Sequence, residues 1–452
     1  MELTIHIETA GTLPALIAES EKLEITELTV TGRLNKLDMM YIKEMAKNKL
    51  AILNLSGAYI VNKVIKRDYF RFWKSLTCIT IPNSVTSIES YAFENCSSLT
   101  HITIPKSITS IGVRVFGGCS SLKEFIVQEE SLDFSTIDGV LFNKDKTTLI
   151  RYPLAKPDDS FIIPNSVTSI EMYAFCDCVN LKSITIPDSV TTVEESVFEG
   201  CVDLEEFVVQ EDSPILSVID GVLFNKERTA IICFPIRKPC TSYIIPDSVA
   251  FIGWRAFMYC EFLTSITIPD SVTKIEAETF LSCYRLLEIT IPDSVTEIEH
   301  EAFRYCVSLQ SVTIPDSVAS IGDMAFYRCE SLTNITIPKS VTYLGHTVFR
   351  GCKSLTNITI LGGVTSLFRT FAGCNSLTHI TITDCLNLSI LDAFEDCTEI
   401  KEIHNNAPIP QTGSICFSDV DMETCKLFVP KGSYDAYRNA KGWKEFTNII
   451  EE

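Results

Sequence analysis

Along most of this chain, apolar side chains return every 23 residues in a fixed order. In the unit that starts at Ile268 they are Val272, Ile275, Phe280, Cys283, Leu286, Ile289 and Ile291. The consensus unit reads I-P-x-S-V-T-x-I-x-x-x-A-F-x-x-C-x-x-L-x-x-I-T. Ile289 and Ile291 flank Thr290, the period of two that predicts a short strand with threonine outward. Pro292 ends that strand, because it has no N–H to continue a ladder. The tetrapeptide Ile-Pro-Asp-Ser supplies a turn, in which proline presets its own backbone angle and Asp and Ser bond nearby main chain. The stretch Ala-Phe-x-x-Cys is too short for a full helix and predicts a single helical turn.

The dipeptide Ile-Pro begins at Ile81, Ile104, Ile163, Ile186, Ile245, Ile268, Ile291, Ile314 and Ile337. Most neighbours lie 23 residues apart, and two gaps are 59. Each long gap holds one ordinary unit and one of 36 residues, so a block of 82 residues recurs, as from Gly139 to Gly221. The long units carry IDGVLFNKDKTTLIRYP (Ile137 to Pro153) and IDGVLFNKERTAIICFP (Ile219 to Pro235). Two apolar runs around a polar Asn-Lys turn predict a β-hairpin, read either as a protrusion or as extra structure that widens one coil.

A unit this small cannot bury its own apolar face, so it must stack on its neighbours. The predicted fold is a repeat solenoid of leucine-rich type: a right-handed superhelix with a parallel β-sheet and short helical turns, capped at both ends. About sixteen coils at a strand spacing of ~4.8 Å would extend roughly 75 Å. Residues 1–75 read as an N-terminal cap with degenerate first repeats, 76–398 as the solenoid, and 399–452 as a C-terminal cap. The long repeats fall at about 128–163 and 210–245. Within the first segment, LTVTG (Leu28 to Gly32) and LNLSG (Leu53 to Gly57) predict irregular strands. Leu37, Met40, Tyr41 and Met45 between them predict an amphipathic capping helix. The tail predicts a last strand, a helix from Ser433 and Trp443 as a plug.

Composition narrows the partners. With 38 basic against 58 acidic residues, a formal charge of -20 argues against phosphate-rich ligands such as nucleic acid and against an anionic membrane surface. No stretch reaches the roughly 18–20 apolar residues of a membrane span. No signal peptide is visible from Met1 to Lys22 in this numbering. Eighteen cysteines would ordinarily suggest a disulfide scaffold. Eleven of them, however, follow a Phe by three residues: Cys96, Cys119, Cys178, Cys201, Cys260, Cys283, Cys306, Cys329, Cys352, Cys374 and Cys397. They are read as small buried hydrophobes in one repeat column. Cys176 and Cys178 have no second ligand pair at zinc spacing.

At these residues the sequence closely resembles the BspA-like leucine-rich repeat family, whose unit ITIPDSVTSIGxxAFxxCxSLTS covers about Ile79 to Cys397. The tail LFVPKGSYDAYRNAKGWKEFTNI is similar to the C-terminal segment of bacterial members. The resemblance implies proteins secreted or displayed on a bacterial cell surface, with adhesion to host proteins or other cells proposed for some. It implies no enzymatic activity and no catalytic set, and the lack of a visible leader departs from it.

Candidate chemistry adds little to that picture. No phosphate-cradling loop, HExxH or GxSxG occurs, and the six histidines are scattered, His101 and His379 sharing a strand position far apart. No cofactor and no metal site is expected. Asp247, Asp270, Asp293 and Asp316 share one turn position, which reads as solvated Asx-turn chemistry rather than a calcium ladder. The positions not fixed by packing are more informative. Within and just after Phe-x-x-Cys the middle coils carry Tyr259, Tyr284, Arg285, Arg304, Tyr305, Tyr327, Arg328 and Arg350, a candidate partner-binding ridge rich in hot-spot residue types. A second, lower-ranked candidate surface is the outward threonine ladder Thr103, Thr185, Thr267, Thr290, Thr313, Thr336, Thr359 and Thr381, whose uniformity is better read as strand preference and cross-strand hydroxyl contacts than as a binding face. The reading that follows is a non-enzymatic, surface-displayed or secreted binding protein, whose partner is a host matrix protein or another cell surface. Two alternatives stay open: a structural spacer or self-assembly module, and a surface protein that binds glycans.

Overall fold

The computed structural model describes residues 1–45, 49–385, 387–411, 414–417 and 419–452. It divides into two compact units, Met1–Ile215 and Leu216–Glu452. Each is built of parallel coils held by three kinds of backbone ladder.

The first ladder is the Ile-Thr-Ile strand. In the second unit Asn334–Ile337 pairs in parallel with Asn357–Ile360, and the next partner is His379–Ile382. Alternation puts Ile335, Ile337, Ile358 and Ile360 inward, where all are buried. The second ladder was not foreseen from the sequence. It is a column of two-residue strands after the Ile-Pro turn: Lys274–Ile275, Glu297–Ile298, Ser320–Ile321 and Tyr343–Leu344. Two residues carry too little periodicity to be read as a strand.

The third ladder corrects the helical turn expected at Ala-Phe-x-x-Cys. Here the chain runs through successive tight turns, in which Arg304 N–H donates to Glu301 O and Cys306 N–H to Phe303 O. Between these, Glu301, Phe303 and Tyr305 donate to Asp323, Ala325 and Tyr327 O of the next coil at 2.8–2.9 Å. Glu301 and Tyr305 adopt left-handed φ of 56° and 61°. A continuing helix would turn each N–H back onto its own chain four residues earlier; alternating handedness instead leaves every second one free to stitch coil to coil.

The core follows from the same stacking. Phe280, Phe303, Phe326 and Phe349 lie nearly parallel, with centroids 5.1–5.3 Å apart and interplanar angles of 8°. The eleven column cysteines are buried free thiols, as a packing role requires. Most of them also do something that hydrophobes cannot: the thiol donates to the carbonyl of the phenylalanine one coil back, as Cys306 to Phe280 (3.2 Å) and Cys352 to Phe326 (3.4 Å). Burial pushes the Cys352 thiol up to about 12, so the thiolate needed for reaction is scarce.

In the first unit the long coil is a three-stranded meander, Phe134–Ile137, Val140–Asn143 and Thr148–Arg151. Asn143 organises the anticipated turn by accepting N–H bonds from Thr147 and Thr148 at 2.9 Å. The protrusion reading does not hold. Thr148–Arg151 continues in parallel into Ser169–Ile170, and Val140, Leu141 and Phe142 are fully buried. A second hairpin turn at Asp138–Gly139, both with positive φ, presses on the preceding coil, where Phe125 N–H donates to Gly139 O at 2.8 Å. A Cβ on Gly139 would stand 2.9 Å from Glu124 Cβ. Lys156, 7% exposed, ties this turn through Asp138 (3.0 Å) and Asp158 (2.7 Å). Lys156→Met is expected to cost about 1–2 kcal/mol, less than a fully buried pair because Asp138 stays solvated. The shift in urea midpoint checks this, and a change below ~0.5 kcal/mol would mean the tie is ornamental.

Both chain ends close with their own elements. Glu27–Leu34 and Ile52–Asn54 supply the two anticipated strands, and Glu2–Ile7 adds an unforeseen one in parallel with the first. Gly32, with φ +86°, lets them approach, since a Cβ there would lie 2.1 Å from Ile7 O. The anticipated helix is Lys36–Met45, but its inward face is Met39, Tyr41, Ile42 and Met45. Leu37 and Met40 are exposed, because buried Asp38 turns inward to accept N–H bonds from Gly11 and Leu13 at 2.6 and 3.0 Å. At the other end, Lys426–Val429 is followed by the helix Tyr434–Asn439, by buried Trp443, and by a further strand, Asn448–Glu451.

Candidate partner-binding surface

Each tight turn places two residues in the left-handed region, one before the Ala-Phe pair and one before the cysteine. The second column holds Asn95, Gly118, Asp177, Gly200, Gly351 and Gly373, residue types that accept that backbone easily. In the second unit the same column holds Tyr259, Tyr305 and Arg328, at φ 62°, 61° and 56°. Large side chains there cost on the order of 1 kcal/mol each. They sit where packing favours glycine or asparagine.

The structure brings six of the eight ridge residues onto one backbone ladder. Tyr259 N–H donates to Leu281 O, Ser282 to Arg304, Tyr305 to Tyr327 and Arg328 to Arg350, at 2.8–2.9 Å. At its centre the Tyr305 and Tyr327 rings meet edge to face, with centroids 5.7 Å apart. Arg304 lies over both rings at 4.9 and 5.3 Å and pairs with Glu301 at 2.8 Å. Arg328 reaches both at 5.9 Å and is exposed. Among the described residues no ion pair engages Arg328 or Arg350, so the patch keeps positive charge on an acidic chain. Tyr284 and Arg285 fall outside this group: they follow Cys283 where the chain has left the ladder, and no described contact joins them to the tyrosine pair.

Arginine–aromatic pairing is wider than the sequence reading placed it. Arg255 lies over Trp254 at 4.1 Å, and in the first unit Arg67 lies over Tyr91 at 4.6 Å. Trp254 and Tyr91 lie in the segment leading into the Ala-Phe pair, where Arg255 and Tyr91 take left-handed φ of 57° and 66°.

The threonine face is less uniform than expected. Thr267, Thr290 and Thr336, Thr359, Thr381 are in register, yet Ile162 and Ile244 replace threonine at the first strand after each meander, 71% and 74% exposed. No hydrogen bond from those threonine hydroxyls is described. Cross-coil hydroxyl bonds come instead from the preceding turn, as Thr356 to Thr333 O at 3.2 Å. The column aspartates are solvated as expected, but the turn bonds come from elsewhere. The turns close through backbone bonds such as Val272 N–H to Pro269 O, and the coils are tied by serine, as Ser294 to Val272 O at 2.7 Å. Asp247, Asp270, Asp293 and Asp316 face solvent. His379 lies 3.6 Å from Glu402 in the second unit, whereas His101 belongs to the first.

Stacked parallel coils, one leucine, phenylalanine and cysteine layer per turn, define a leucine-rich-repeat solenoid. The chain belongs to the BspA-type leucine-rich repeat family, whose model matches six copies over residues 51–155, 158–235, 232–330 and 319–439. Among curated proteins no sequence matches it. Solved structures of similar fold include the pneumococcal vaccine antigen PcpA, 19% identical over 95% of this chain and 79% of that one, TM-score 0.42. A leucine-rich cell surface protein from Faecalibacterium prausnitzii is 25% identical over 79% and 83%, TM-score 0.43. A leucine-rich repeat protein from Bacteroides ovatus is 22% identical over 81% and 88%, TM-score 0.37. No helix among the described residues is long and apolar enough to cross a membrane.

Proposed function

We propose that this chain is a non-enzymatic adhesion or ligand-binding protein, secreted or displayed on a bacterial surface, that meets a protein partner through the Arg304–Tyr305–Tyr327–Arg328 patch. The observation that carries the reading is the arginine–tyrosine cluster. At left-handed positions that several other coils give to Asn95, Gly118 or Gly351, Tyr305 and Arg328 carry large side chains that join Arg304 and Tyr327 in one partly exposed patch. Tyrosine and arginine are also the residues on which interfaces concentrate their energy. Membership of a repeat family that presents surfaces supports binding over catalysis.

The test is capture of the full chain on a panel of matrix proteins and glycans, repeated with Arg304→Ala, Tyr305→Ala, Tyr327→Ala and Arg328→Ala combined. The protein ligand that captures the wild type is expected to lose affinity by about a thousandfold, as when two hot spots of ~2 kcal/mol each are removed. Undiminished capture would remove this patch from the account, and capture by glycans alone would replace the protein partner with a sugar.

A further inference from the structure

The first unit contains a cleft of about 260 Å³ between the coil of Ile111–Phe116 and the meander coil, with Arg114 and Arg151 in its lining. Arg151 is 6% exposed and spends its terminal nitrogens on backbone, donating to Tyr173 O and to Cys176 O, the latter at 2.8 Å. Its Nε has no partner, and among the described residues no carboxylate pairs with it. Arg114 lies over the Tyr173 ring at 4.7 Å, makes no described hydrogen bond and also has an unpartnered buried Nε. Arg151 is therefore a buried cation held only by carbonyls, a costly arrangement that folded proteins ordinarily relieve with a counter-ion, whereas Arg114 is half-buried with the Glu199 and Asp177 carboxylates acting on its charge.

The second copy of the 82-residue block supplies an internal control. It keeps the scaffold of the meander: Gly221 for Gly139, Asn225 for Asn143, Lys238 for Lys156. At the positions of Arg114, Arg151 and Tyr173 it carries Ser196, Cys233 and Arg255. The coil therefore folds without this pair of guanidinium groups, and their presence in the first copy calls for another reason.

The geometry points to a binding site for an apolar carboxylate. A guanidinium fork matches a carboxylate's two oxygens, and Leu141, Ile150 and Met172 give the cleft apolar walls. Glu171 and Glu194 in the same lining balance the two guanidinium charges, which disfavours a doubly charged phosphate more than a single carboxylate. The volume accommodates a single aliphatic side chain with its acid group. Such a group comes either as a small free acid or as the C-terminal residue of a polypeptide.

Calorimetry of the full chain with N-acetyl-leucine, N-acetyl-leucinamide, acetyl-Ala-Ala-Leu as acid and as amide, and inorganic phosphate tests the site. Both acids are expected to bind at least about tenfold tighter than their amides. Arg114→Ser, which gives up no hydrogen bond to the protein, is expected to lower that affinity by about tenfold or more while the thermal midpoint holds. A peptide acid clearly tighter than N-acetyl-leucine assigns the site to a polypeptide C-terminus, and equal affinities assign it to a small acid; either supports the carboxylate site. Acid and amide binding alike, no acid binding up to about 10 mM (a Kd weaker than roughly 3 kcal/mol of binding free energy), phosphate outcompeting the acids, or an unaffected Arg114→Ser variant would each overturn it.

Discussion

Phe303→Ala is expected to destabilise the second unit by about 3–5 kcal/mol, the range for removing a fully buried aromatic ring. Phe303 is 0% exposed, and its ring is packed between Phe280 at 5.2 Å and Phe326 at 5.1 Å. Neither neighbour can collapse into the gap, because each is held from its other side by Phe257 or Phe349. The backbone ladder of Glu301, Phe303 and Tyr305 prevents the coils from closing up. The cavity term should therefore be near its full size. Denaturant titration followed by circular dichroism measures it, with Thr290→Val on the outward strand as a control expected to stay within about 0.5 kcal/mol. A cost for Phe303→Ala below ~1.5 kcal/mol would mean the rings do not form one stack.

Trp443→Ala has an effect of similar size but a different character. Trp443, also 0% exposed, contacts Phe417 at 5.2 Å, Tyr437 at 5.6 Å and Phe446 at 6.1 Å, and so covers the last phenylalanine of the stack. Its loss is expected to cost about 3–5 kcal/mol and to open the end of the coil array, since a terminal coil has a neighbour on one side only. Hydrogen exchange should then quicken in Glu402–Asn405, Lys426–Val429 and Asn448–Glu451 before it changes in Asn334–Ile337. Equal acceleration in all of these strands would show that the cap does not act locally.

Most of the architecture could be read from periodic positions, because a residue that must be buried in every coil repeats in every coil. Ile335, Phe303, Cys306 and Leu309 belong to this set, and all are buried. What escaped the sequence is backbone behaviour that side-chain type does not announce. The left-handed residues before Ala-Phe include Tyr91, Arg114, Glu301 and Met324, a column with no glycine to mark it, so a helical turn was the natural reading. The helix Lys36–Met45 was legible, but its face was not: buried Asp38 overrode the apolar pattern by binding three backbone N–H groups, those of Gly11, Leu13 and Asn35. The meander turn at Asp138–Gly139 did carry a signal, since Asp-Gly favours the turn that joins two strands. The cleft at Arg114 and Arg151 carried none, because the two arginines come from segments 37 residues apart that only the fold unites.

The account rests on a division of labour in which repeated positions pack and the residues that break the repeat bind. Tyr305→Asn with Arg328→Gly tests this most directly, since Asn95 and Gly118 show what other coils place at that column. Relief of left-handed strain offsets the lost ring contacts, so stability is expected to change by no more than about 1 kcal/mol. Affinity for the captured partner, measured on the same preparation, is predicted to fall at least about tenfold. A variant that binds as the wild type does, or that unfolds on losing these two side chains, would contradict the account.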